Sequence, residues 1–183
     1  MKKKALLLAS IGVLVCTVGI TALAVGGANQ LDAFAVKADP TEYSITFDAS
    51  DESTTVEAVD GDYAIYTTTP RGAKVGVVGH NHDEDDGTSS FTFNGASFWH
   101  LCLFDIGGAL GKVGAYQFST ITGFEISFSG GLGVAYESGK TSLGGELITS
   151  GKKYDVSITP SDTPQFYAGG NVTVSSLTIY YTC

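Results

Sequence analysis

The sequence predicts an all-β domain, an antiparallel two-sheet β-sandwich of jelly-roll type, preceded by an N-terminal hydrophobic signal segment. Three observations carry this expectation. After residue 39, apolar and polar residues alternate with a period of two in short runs. Clusters of Gly, Asp, Asn and Ser separate the runs. No segment in that part of the chain has the 3.6-residue period of an amphipathic helix.

The first element is the leader. Met1-Lys2-Lys3-Lys4 is followed by residues 5–28, a run of 24 residues without a charge. A basic start, an apolar stretch and small residues near a cleavage point describe a secretory signal peptide. Cleavage after Ala38 places Val36 and Ala38 at the small-residue positions; cleavage after Ala35 uses Ala33 and Ala35. The run is also long enough to span a bilayer, so an uncleaved anchor is the alternative. Both readings put the lysines on the cytoplasmic side and export the rest. Lipid modification at Cys16 fits less well, because Val15 stands where a small residue is needed. The expected organisation is residues 1–38 as leader and 39–183 as one sandwich domain.

Within that domain Tyr43, Ile45 and Phe47 point one way while Glu42, Ser44, Thr46 and Asp48 point the other. Phe124, Ile126 and Phe128, with Thr122, oppose Gly123, Glu125, Ser127 and Ser129. Tyr154, Val156 and Ile158 oppose Asp155, Ser157 and Thr159. Shorter runs cover 63–67, 74–78, 91–93, 113–118, 132–136 and 143–148. Asp60-Gly61-Asp62, Pro70-Arg71-Gly72, Asn94-Gly95, Gly130-Gly131, Gly144-Gly145 and Gly169-Gly170-Asn171 mark turns between them. About ten short strands with one wet and one dry face make a sandwich. In the last run Val172 and Val174 share one parity, whereas Leu177, Ile179 and Tyr181 have the other, so Ser175-Ser176 is expected to hold a bulge. Residues 97–106, SFWHLCLFDI, are apolar on both faces. Read as one strand, they give one face to the core and the other to a covering loop, a partner or a ligand, with Trp99 at its centre.

Composition narrows the function classes. Residues 39–183 carry 6 basic and 18 acidic side chains, a formal charge of −12. Phosphate backbones repel such a surface, which argues against nucleic acid, and anionic lipid is disfavoured equally. Any membrane contact therefore runs through the leader. Some 145 residues bury a full core without staples. Beyond the leader only Cys102 and Cys183 remain. They either pair in an oxidising compartment or stand as a small buried residue and a terminal thiol.

Two constellations suggest chemistry. In His80-Asn81-His82-Asp83-Glu84-Asp85-Asp86-Gly87 the acids Asp83, Asp85 and Asp86 are candidate ligands for Ca²⁺, the ion that hard carboxylates favour. The loop departs from the EF-hand pattern at Gly87 and Thr92, and a solvated acidic tip is the plainer reading. Asp105, Glu125, Glu137 and Asp155 are the acids near strands that a glycosidase would need as a facing pair, and no G-x-S-x-G occurs. His100, inside an apolar strand, reads as a hydrogen-bonded core residue. Sugar binding has more material. Pyranose C–H faces pack on aromatic rings, and their hydroxyls bond to amides. Trp99 together with Gln165, Tyr167 and Asn171, from the Thr163–Asn171 segment read as a loop, are the candidate ligand contacts.

The closing pattern, ITGFEISFSGG (121–131), YDVSITP (154–160) and NVTVSSLTIYYTC (171–183), resembles the C-terminal half of exported bacterial β-sandwich modules. The jelly-roll carbohydrate-binding modules and galactose-binding-like domains end in similar strands. The resemblance covers about the last 65 residues and implies a jelly roll, glycan binding on a sheet face or at loop tips, and a structural calcium. The expected function is that of a secreted or surface-exposed non-catalytic module that binds glycans or mediates adhesion, with a glycan or a surface protein as partner. The alternative is a structural or protein-interaction domain of a surface assembly; a glycan-active enzyme is third.

Overall fold

The computed structural model describes residues 41–81, 89–131, 133–138, 146–162 and 164–182. The chain divides after Asp39. The leader, the stretch 82–88 with Asp83, Asp85 and Asp86, and Cys183 lie outside the described residues. Among the described residues no helix is long and apolar enough to cross a membrane.

The described chain runs through strands β1 (Glu42–Asp48), β2 (Thr55–Val59), β3 (Asp62–Thr68), β4 (Lys74–His80), β5 (Ser90–Phe93), β6 (Ala96–Phe98) and β7 (His100–Cys102). Helix α1 (Ala109–Val113) follows, then β8 (Ile121–Gly130), β9 (Gly133–Ser138), β10 (Glu146–Ile148), β11 (Lys153–Ile158), β12 (Pro164–Gly169) and β13 (Asn171–Thr182). These strands form two sheets packed face to face. The first has the order β11-β8-β13-β5-β6, with β1 also paired to β13; the second has the order β10-β9-β12-β7-β4-β3-β2. Over the C-terminal strands the pairing is nested. β8 lies between β11 and β13 in one sheet while β9 lies between β10 and β12 in the other. That nesting carries the chain back and forth between the two layers of the sandwich.

Two hairpins follow directly from their turn residues. Asp60-Gly61 joins β2 to β3 and Asn94-Gly95 joins β5 to β6, and all four residues have positive φ (51°, 95°, 45° and 81°). Two-residue turns of this kind match the right-handed twist of the strands they join, and only Gly, Asn and Asp adopt them at little cost.

The alternation is realised in the core. Phe47, Phe124, Ile126, Ile158, Leu177 and Ile179 from the first sheet meet Ile65, Val77, Leu101, Val134 and Phe166 from the second. The parity switch in β13 is resolved as expected. The register with β8 shifts between Val174 and Ser176, so Ser175 is the extra residue, and its hydroxyl donates to the Ser127 carbonyl at 3.2 Å. Val172, Val174, Leu177 and Ile179 are all buried in consequence.

Several expectations are corrected. Residues 97–106 are not one strand. β6 belongs to the first sheet and β7 to the second, and the chain crosses between them at Trp99. Phe98 anchors one side, stacked on Phe91 at 5.9 Å, while Leu101 and Leu103 enter the same core from the other side. The outward face of β7, at Cys102, is covered by Ala109 and Leu110, so a loop of the chain itself seals it. Residues 113–118 are not a strand: α1 ends at Val113, and only Tyr116 forms a bridge, to Val75. The segment Thr163–Asn171 is not a loop, because Pro164–Gly169 is a strand held between β7 and β9 with Phe166 fully buried. Strand β2 lies outside every alternating run of the sequence.

Candidate functional site

Strand ends converge at one rim of the sandwich. β3 begins there at Asp62 and β4 ends at His80, which register places opposite His100 at the start of β7. His100 in turn pairs with Tyr167 of β12. Across the sandwich Ser90 pairs with Asn171, and the Ser90 amide donates to the Gly170 carbonyl at 3.1 Å. Trp99 lies between the two sheets at this rim, its backbone N–H donating to the His80 carbonyl at 3.2 Å.

On the outer face of the second sheet this produces a row of polar side chains. His80 Nδ1 stands 2.8 Å from Asp62 Oδ1, and the same oxygen accepts the Asn81 backbone N–H at 2.9 Å. Both partners of the His–Asp pair are largely enclosed, at 15% and 13% side-chain exposure. A carboxylate held to Nδ1 fixes the imidazole's tautomer and orientation. His100 meets the Tyr167 ring edge-on, with centroids 4.5 Å apart. The Tyr167 hydroxyl donates to Gln165 Oε1 at 2.7 Å.

The four ligand residues expected from sequence therefore divide. Gln165 and Tyr167 face outward on a central strand, but Tyr167 is buried and its hydroxyl is held by Gln165. Trp99 is half-buried at the crossover, and Asn171 is exposed at the start of β13, where its Oδ1 accepts from Ser90 Oγ at 3.2 Å. Trp99, Tyr167 and Asn171 thus share the rim, while Gln165 sits two residues further along the sheet. The four acids weighed for glycosidase chemistry are spread over both sheets: Glu125 and Asp155 on β8 and β11, Glu137 on β9, and Asp105 just beyond β7. Among the described residues no group of three or more His, Cys, Asp or Glu is arranged to hold a metal, and the proposed calcium ligands lie outside those residues.

Cys102 is a free thiol with no exposure. Burial, and secondarily the charge of Asp62, push its pKa up to about 12, so in this state it is unreactive. Its proposed disulfide partner, Cys183, lies outside the described residues.

The Asp62–His80 pair does not stand out from residue types alone, but the hairpin register contains it. A hairpin turning about Arg71 places residue 62 opposite residue 80, so the acid of one turn cluster and the histidine of the acidic segment must meet. No family model matches this chain, and neither the curated proteins nor the solved structures give a match.

Proposed function

We propose that this domain is an exported, non-catalytic sandwich that binds glycans or mediates adhesion at a bacterial surface. One observation supports the reading best: the chain's single tryptophan sits half-buried at a rim it shares with the exposed amide of Asn171 and the Ser90 hydroxyl. A rim that carries an indole together with hydroxyl and amide groups offers a sugar both an apolar face for its C–H side and partners for its hydroxyls. The acidic surface suits a neutral or basic glycan rather than a sulfated or sialylated one, since like charges repel. The test is a glycan array probed with the wild-type protein and with Trp99→Ala, folding being checked by circular dichroism. Binding that Trp99→Ala abolishes supports the proposal. Binding that survives the substitution, or an array with no binding at all, contradicts it.

A second reading, a structural or interaction domain, draws on the exposed apolar side chains. Leu147 on edge strand β10 is 68% exposed, and an unpaired strand edge is a natural site of assembly. Self-association that rises with protein concentration and ignores sugar would favour it.

A further inference from the structure

We propose that residues 105–115 form a strap that opens as a unit while the sandwich stays folded, uncovering Cys102 and the apolar strip around it on the outer face of the second sheet.

The strap is fixed at both ends and lightly seated in between. Leu103 and Phe104, just before it, are buried in the main core. After it, Tyr116 exchanges backbone hydrogen bonds with β4, donating to the Lys74 carbonyl at 2.9 Å and accepting from the Gly76 amide at 3.0 Å. Between these anchors, only Ala109 and Leu110 are fully buried. With Ala64, Val78 and Cys102 they form a small cluster separate from the core between the sheets. The helix they belong to has five residues, no side-chain cap at its N-terminus and Gly111 in its middle. A helix so short does not persist without docking. Gly108 and Gly114, at its two ends, adopt left-handed φ values of 72° and 71°, and neither has a neighbour where a Cβ would lie. Both ends are therefore built of residues that rotate with little steric penalty. The ion pair from Lys112 to Asp60 is exposed to solvent and screened by it.

The seat itself is specific. A Cβ on Gly76 would come within 2.5 Å of Leu110 Cδ2, so the socket for Leu110 exists because position 76 has no side chain. Leu110 is the main plug of the strap, with Val113 and Ala115 only partly buried beside it, whereas the sandwich is held by a much larger independent core. Regions with few buried apolar contacts open at lower free energy than the whole. Cys102 lies under this cover with no exposure, so its thiol reports opening.

The test follows alkylation of Cys102 by iodoacetamide, resolved by peptide mass spectrometry in the full-length protein, across urea concentrations below the onset of global unfolding. A local opening exposes little new surface, so the proposal expects a labelling rate nearly independent of urea. Leu110→Ala is expected to raise that rate about 10- to 100-fold with the urea dependence still flat. A wild-type labelling rate that climbs with the slope of global unfolding would overturn the proposal, whether or not the variant folds. So would a folded Leu110→Ala protein that labels at the wild-type rate.

Discussion

Phe124 on β8 and Phe166 on β12 belong to opposite sheets, and their rings meet edge to face with centroids 4.9 Å apart and planes at 76°. Phe124 is also stacked on Tyr154 at 5.4 Å. This contact joins the two layers directly, so it reports whether they pack as described. Truncating either ring to alanine would cost about 3–5 kcal/mol, a large share of the ~5–15 kcal/mol that holds a domain together. The informative experiment therefore uses Phe124→Leu, Phe166→Leu and the double variant, which keep most of the apolar volume. An edge-to-face pair contributes roughly 0.5–1.5 kcal/mol beyond the area it buries. The double variant should accordingly lose that much less stability than the two single losses added together. Urea unfolding followed by far-UV circular dichroism gives the four stabilities, with an unchanged slope as the sign that the unfolded state is the same. Additivity to within about 0.3 kcal/mol would refute the contact, because distant sites behave that way.

The remaining predictions concern pH. Hydrogen bonds from Thr122 and Lys153, then the Lys153 charge, hold the Glu42 carboxyl below its ordinary pKa. A depressed carboxylate contributes stability that is full above its unfolded pKa and is lost as pH falls through the folded value. The melting midpoint of the wild type should thus drop below about pH 4.5, and that of Glu42→Gln should drop less over the same range. Asp162, depressed by its bonds from the Thr159 backbone and hydroxyl, should make a parallel contribution that Asp162→Asn removes. Identical acid limbs for wild type and variants in a thermal melt series would contradict both assignments.

Much of this architecture is legible in the sequence, where pattern and physics are local. The alternation at 43–47, 124–128 and 154–158 reflects burial of one sheet face, and the bulge at Ser175 follows from a change of parity that no straight strand can absorb. What is not legible depends on partners distant in sequence. The run 97–106 is apolar throughout, and nothing within it says that Phe98 and Leu101 serve different sheets. β12 has Pro164 at one end and Gly169-Gly170 at the other, with little alternation between, so its composition suggests a loop. Only pairing with both β7 and β9 makes it a strand. β2 is a short edge strand with Glu57 near its centre, and its pattern is weak because it has one neighbour. The candidate site follows the same division. Trp99 stands out by type, while the Asp62–His80 pair emerges from hairpin register and the burial of Tyr167 from a neighbouring strand.

The central claim is that the chain passes from one sheet to the other at Trp99, closing a sandwich whose rim carries the candidate site. Cross-strand nuclear Overhauser contacts on isotope-labelled protein test it most directly. The account predicts contacts from Phe98 to Phe91, and from His100 to both His80 and Tyr167. Contacts from residues 97–103 to one and the same neighbouring strand along their whole length would contradict it.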